Sequence, residues 1–116
     1  MDFVERRRAP RIHIDYVTVE VYPSQEYAAS PEISEICSVI DLSEAGMRFK
    51  ADNLYKPGQI IRLTFVLPDS IVVIRSNATV IHSDSRLHEI GVQFKNLGIA
   101  EHKLIQHVIE RNLCNT

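Results

Sequence analysis

Four arginines crowd the start of the chain, in Glu5-Arg6-Arg7-Arg8-Ala9-Pro10-Arg11. Arg7 and Arg11 are four apart, a spacing that shares one face of a helix, but Pro10 drives Ala9 out of the helical region. The segment therefore reads as extended or turned. Extended, four residues span about 13 Å, so the two guanidinium groups bracket a broad flat ligand rather than pinch one phosphate. Arginine suits that work. Its planar fork bonds a phosphate or the O6/N7 edge of guanine bidentately, and it also stacks on a base. The same residues also read as a solvated basic tail, or as a nuclear-localisation or nucleic-acid patch.

A second segment with chemistry is Asp41-Leu42-Ser43-Glu44-Ala45-Gly46. Asp41 and Ser43 are two apart, so in an extended chain they point to the same side while Leu42 points into the core. A carboxylate accepts from the N1–H and N2–H₂ donors of guanine, and a hydroxyl beside it adds a donor or an acceptor. Gly46 permits a positive φ or close approach of the backbone to a ligand. A strand followed by a turn stabilised by Asp or Ser accounts for the same residues without any ligand.

Both segments need a scaffold, and the pattern between and after them is mostly strand. Residues 12–22 are β-branched and aromatic with polar residues interleaved. Their alternation changes parity, from Ile12 and Ile14 to Val17, Val19 and Val21, which predicts a bulge near Asp15–Tyr16. Residues 23–33, with two prolines and several small polar residues, read as a loop. Further strands are predicted over 34–42, 46–50, 59–67, 71–82 and 87–95. In them Ile61, Leu63, Phe65 and Leu67 share one face, as do Val72, Ile74, Ala78 and Val80, and Ile90, Val92 and Phe94. After Gly98 the period becomes helical, with Leu104, Ile105, Val108 and Ile109 on one stripe of a helix over 99–113. Short strands with frequent turns and one terminal helix point to an all-β barrel or sandwich closed by that helix.

Composition bounds the function. The chain has 116 residues, room for one domain. Its net charge of −2 argues against general nucleic-acid binding. Residues 1–11 hold four arginines against Asp2 and Glu5, whereas the other 105 residues hold nine cationic side chains against thirteen acidic ones. A basic arm on a mildly acidic body suits a small anion better than a long polyanion. Cys37 and Cys114 belong to no ligand-spaced cluster and read as reduced thiols of a cytosolic protein. No apolar run reaches the roughly 18 residues that span a membrane, and the charged N-terminus, with no apolar stretch after it, does not read as a signal peptide. His13, His82, His88, His102 and His107 show no metal-ligand spacing, and no nucleophile or phosphate-loop motif is present. Catalysis and a metal or cofactor requirement are therefore not expected. Phe49, Phe65 and Phe94 fall in apolar strand patterns, which counts against a base-stacking nucleic-acid barrel.

The two segments in this order, about thirty residues apart with a strand between them, resemble the signature of the PilZ family, RxxxR followed by [D/N]xSxxG. Arg7-Arg8-Ala9-Pro10-Arg11 and Asp41-Leu42-Ser43-Glu44-Ala45-Gly46 match both halves without departure. The Glu5-Arg6 lead-in, the Ile90-Gly91-Val92-Gln93-Phe94 strand and the terminal helix extend the resemblance over roughly residues 5–112. It implies a six-stranded antiparallel β-barrel with one C-terminal α-helix, residues 12–116, carrying a flexible basic arm, residues 1–11. It also implies cyclic di-GMP as ligand and a cytoplasmic receptor acting on an unidentified protein partner, as monomer or homodimer, without DNA, RNA or membrane insertion. By the same resemblance Arg7 and Arg11 are clamps, Asp41 and Ser43 read a guanine edge, and Gly46 shapes the backbone. Arg6 and Arg8 are additional cations, Arg6 a candidate contact to a second, intercalated ligand. Arg75 and Gly91 are weaker candidates for the site floor. A PilZ-like adaptor that binds protein without ligand, or a small nucleic-acid-binding barrel, are the competing readings.

Overall fold

The computed structural model describes residues 10–23 and 34–114, with the side chain of Cys114 excepted. Among these described residues seven strand segments and one helix follow in order. They are β1 (Arg11–His13), β2 (Thr18–Tyr22), β3 (Glu35–Ser43), β4 (Gly46–Lys50), β5 (Ile60–Val66), β6 (Val73–Asp84), β7 (Glu89–Lys95) and α1 (Ile99–Cys114).

β1 and β2 are one strand interrupted where the parity change predicts it. Both pair antiparallel with β3, β1 at Asp41–Ser43 and β2 at Glu35–Ser38. Between them the Ile14 N–H donates to the Ile40 carbonyl and the Val39 N–H to the Val17 carbonyl. Four residues, Ile14–Val17, thus face two. β3 changes parity at the same place, from Cys37 and Val39 to Leu42, with a register shift against β4 between Val39 and Asp41, so that Ile12 and Ile14 before the irregularity and Val17, Val19 and Val21 after it are all buried.

Counting that bulged strand once, six antiparallel strands close into a ring. β2 pairs with β3, β3 with β4, β4 with β7, β7 with β6, β6 with β5, and β5 returns to β2. The inward residues fill the interior, with Phe49, Ile61, Leu63, Ile74 and Val80 among the most deeply buried. Phe65 and Phe94 stack across it with ring centroids 6.0 Å apart. Tight turns set the registers. Before β5, Pro57 and Gly58 form the centre of a turn in which the Gln59 N–H bonds the Lys56 carbonyl. Gly58 there takes φ 93°, a value that favours glycine.

α1 covers one end of the barrel, packing against β1 and β3. Its stripe of Ile105, Val108 and Ile109 is buried and Leu104 is partly so. Each fully buried aliphatic side chain is worth about 1.5–3 kcal/mol. Arg111 bonds Asp69 in the β5–β6 turn at 2.9 Å.

Val72 departs from the sequence reading. It shares the parity of Ile74 but lies before β6 begins and is exposed. β5 ends at Val66, opposite Val73, so the β-branched run Ile71–Val72 has no strand to lie against. No described helix is long and apolar enough to cross a membrane.

Candidate functional site

The register of β1 on β3 joins the end of the basic segment to the acidic one. Arg11 lies opposite Ser43, Ile12 opposite Leu42 and His13 opposite Asp41. Ile12 and Leu42 face the core, which puts Arg11, His13, Asp41 and Ser43 together on the outer side. Arg11 is thus the first residue of β1 rather than part of an arm, and its Nε stands 3.7 Å from Asp41 Oδ1. Arg6, Arg7 and Arg8 lie outside the described residues.

The β3–β4 hairpin supplies the next row. Its loop, Glu44–Ala45, sets Leu42 opposite Met47 and Asp41 opposite Arg48. Arg48 donates from Nε at 3.1 Å and from Nη2 at 2.7 Å to Asp41 Oδ2, and from Nη1 at 3.0 Å to Glu89 Oε1 on β7. The hydrogen bonds to Asp41, against a smaller cost of burial and with help from Glu89, raise the Arg48 pKa above its already high value. The two oxygens of Asp41 are therefore unequal. Oδ2 is saturated, whereas buried Oδ1 has no hydrogen-bond partner among the described residues. An acceptor left in that state is costly unless something donates to it.

Ser43 is engaged by its own turn. Its hydroxyl accepts from the Ala45 and Gly46 N–H groups, both at 3.2 Å, and lies 3.4 Å from the Gly46 carbonyl. It holds the turn that fixes Asp41 beside Arg48. Gly46 does not take a positive φ. Its importance is proximity, since a Cβ there would overlap the Val92 carbonyl of β7. Across the hairpin, Glu44 accepts from Gln106 at 3.2 Å and faces His102 at 3.2 Å, tying the motif turn to α1.

A sequence model of the PilZ domain matches residues 5–111, nearly the whole chain. The chain belongs to the PilZ family.

Solved structures share the fold. The inhibitor of motility MotI/DgrA of Bacillus subtilis superposes with a TM-score of 0.76 at 15% identity, over 96% of this chain and 53% of that one. YcgR of Escherichia coli in complex with c-di-GMP gives 0.70 at 20% identity, over 95% and 48%. The isolated PilZ domain of YcgR with c-di-GMP gives 0.65 at 16% identity, over 93% and 94%. This chain thus spans about half the length of MotI/DgrA and of whole YcgR. No curated protein sequence matches it.

The two weaker floor candidates part company in this PilZ barrel. Gly91 lies opposite Arg48 on β7 and next to His82 on β6, in the same row as Asp41. Arg75 is opposite Thr64, seven residues along β6 from His82, or about 23 Å at strand rise. It lies away from the Asp41 row, because β6 is long enough to carry residues to both ends of the barrel. The sequence reading missed Arg48 and Glu89. A two-residue loop at Glu44–Ala45 forces 41 opposite 48, so the hairpin register was the available signal. Among the described residues no three His, Cys, Asp or Glu side chains gather as a metal site.

Proposed function

We propose that this PilZ domain is a receptor for cyclic di-GMP that binds without chemistry, on the face formed by β1 and the β3–β4 hairpin. The observation that carries the reading is the pairing of Arg11 with Ser43, which sets a guanidinium fork beside the unpartnered Oδ1 of Asp41. Guanine offers what that oxygen lacks, an N1–H and N2–H₂ donor edge. In this reading Asp41 Oδ1 accepts from guanine, while Oδ2 stays with Arg48 and holds the carboxylate in place. Arg11 then leaves its 3.7 Å contact to meet phosphate or the guanine O6/N7 edge. Arg7, four residues earlier, closes on the ligand from the arm, with Arg6 and Arg8 adding charge. Ser43 and Gly46 keep the hairpin tight enough for Asp41 to be presented.

Ligand charge supplies the switch. A dianion partly neutralises the arginines, changing the shape and charge of this face as a protein partner meets it. An intracellular messenger implies a cytoplasmic receptor. The fold shared with two YcgR structures described as holding c-di-GMP supports the ligand assignment. Calorimetric titration with cyclic di-GMP tests it. Saturable binding is expected, lost in Arg11→Ala while the circular dichroism spectrum of that variant stays folded. A wild-type protein giving no heat at millimolar ligand contradicts the proposal.

A further inference from the structure

The barrel closes around its girth, but β6 outruns its neighbour. β7 ends at Lys95, opposite Asn77. The chain then turns away through Asn96, at φ 61°, to Leu97, which packs on the core. Val73–Ser76 of β6 therefore pair with β5 on one side and with no described strand on the other. Antiparallel ladders alternate the side to which successive residues bond. Val80 bonds Gln59 and Gly58 on the β5 side. Even-numbered residues of β6 thus serve β5, and Val73 and Arg75 direct their N–H and C=O groups to the open side. No described residue bonds those four groups.

This open edge is apolar at one end and basic at the other. Ile71 is 96% exposed, Val72 and Val73 are exposed, and exposed Val66 lies beside Val73 in register. Where β7 departs, a shallow pocket of about 260 Å³ is lined in part by Arg75, Asn77, Lys95 and Asn96, and none of its described lining residues is a carboxylate. Arg48, Lys50 and Arg111 all have acidic partners. Arg75 and Lys95 have none among the described residues.

Folded proteins cover or blunt a free apolar strand edge, because it recruits another strand. We propose that the β6 edge at Val73–Arg75 is a docking site for an extended acidic segment of a protein partner, which adds as a strand in the place that β7 vacates. Main-chain bonds to Val73 and Arg75 hold the segment, and alternate side chains select it. A carboxylate beside Arg75 reaches the pocket toward Lys95, and an apolar side chain meets Val73 and Ile71. Charge selects against a second copy of this chain as the occupant. Pairing the edge with itself brings two Arg75 and two Lys95 side chains to one seam, where like charges oppose each other. In ring order β6 stands opposite β3, so the partner and the ligand occupy different faces.

The test is a titration of the ¹⁵N-labelled full chain with an acetylated, amidated Glu-Val-Glu-Val-Glu peptide, and separately with its Lys-Val-Lys-Val-Lys counterpart. The acidic peptide is expected to shift the Val73, Arg75 and Asn77 amides, to slow exchange at the first two, and to weaken with salt. Val73→Pro removes a donor at the first residue of a strand, where proline is tolerated, and should lower affinity at least about tenfold. Arg75→Glu should transfer the preference to the lysine peptide. Equal response to both peptides, shifts confined to other strands, or no response at millimolar peptide overturns the proposal. A concentration-dependent dimer abolished by Val73→Pro also overturns it, by assigning the edge to a second copy.

Discussion

Replacing Arg48 by methionine removes both donors to Asp41 Oδ2 while keeping most of the stem that packs on the barrel. The Asp41 side chain is 7% exposed and would be left with Arg11 at 3.7 Å as its remaining described cation. Breaking a buried ion pair from one side costs about 3–5 kcal/mol. Arg48 is itself 38% exposed, and water entering its place recovers part of that, leaving about 2 kcal/mol. For a domain of this size the loss lowers Tm by roughly 8 °C. Asp41→Asn should cost only about 1 kcal/mol, because a neutral amide loses charge-assisted bonds without stranding a charge. In the Asp41→Asn background Arg48→Met should then cost less than about 0.5 kcal/mol, a coupling of about 1.5 kcal/mol. Urea unfolding of the four proteins, followed by far-ultraviolet circular dichroism at pH 7, measures the cycle. Additive losses, or an unchanged Tm in Arg48→Met, would show that Arg48 does not hold the carboxylate.

Gly46→Ala should cost about 3 kcal/mol, because the new Cβ meets the Val92 carbonyl, backbone that cannot swing aside; a melting temperature within a degree of wild type would refute the close approach. Burial first, and then the charge of Glu35, push the Cys37 thiol up to about 12. Iodoacetamide at pH 8 should therefore leave Cys37 unlabelled in the folded protein and label it readily in urea, as read by peptide mass mapping. Burial pushes the Glu35 carboxyl up, but hydrogen bonds from the Asp52 N–H, the Asn53 side chain, the Tyr55 hydroxyl and the Asn53 N–H outweigh it and lower its pKa below the ordinary 4.5. A depressed carboxyl stabilises the fold fully above its unfolded value, and that stabilisation is lost as pH falls through the folded one. Glu35→Gln should therefore lower the urea midpoint at pH 6 and do so progressively less below about pH 4.5; a gap of equal size at pH 3 and pH 6 counts against this.

Most of the fold was legible because burial enforces alternation. The slip between Ile14 and Val17 located the bulge, and the change to helical period after Gly98 located α1 to within a residue or two of Ile99–Cys114. What alternation cannot reveal is pairing. Val72 fits the parity of β6 yet lies outside it, because a strand needs a neighbour and β5 has ended. Arg75 sits on a strand next to that of Gly91, but at the far end of it. The site was legible in residue type more than in role. Asp41 was visible as a carboxylate, yet its division into a fixed oxygen and an open one depends on Arg48, which only the hairpin register delivers. Ser43 looks like a ligand contact by spacing and is held by the turn amides.

The most direct test of the receptor reading is where cyclic di-GMP touches the chain, read from ¹⁵N amide shifts at saturating ligand. The largest shifts are expected at Arg11, Asp41 and the Glu44–Gly46 turn, with Arg48 following and Val73–Arg75 unmoved. Saturable binding that leaves Arg11 and Asp41 still, while residues of β5 and β6 shift, would contradict it.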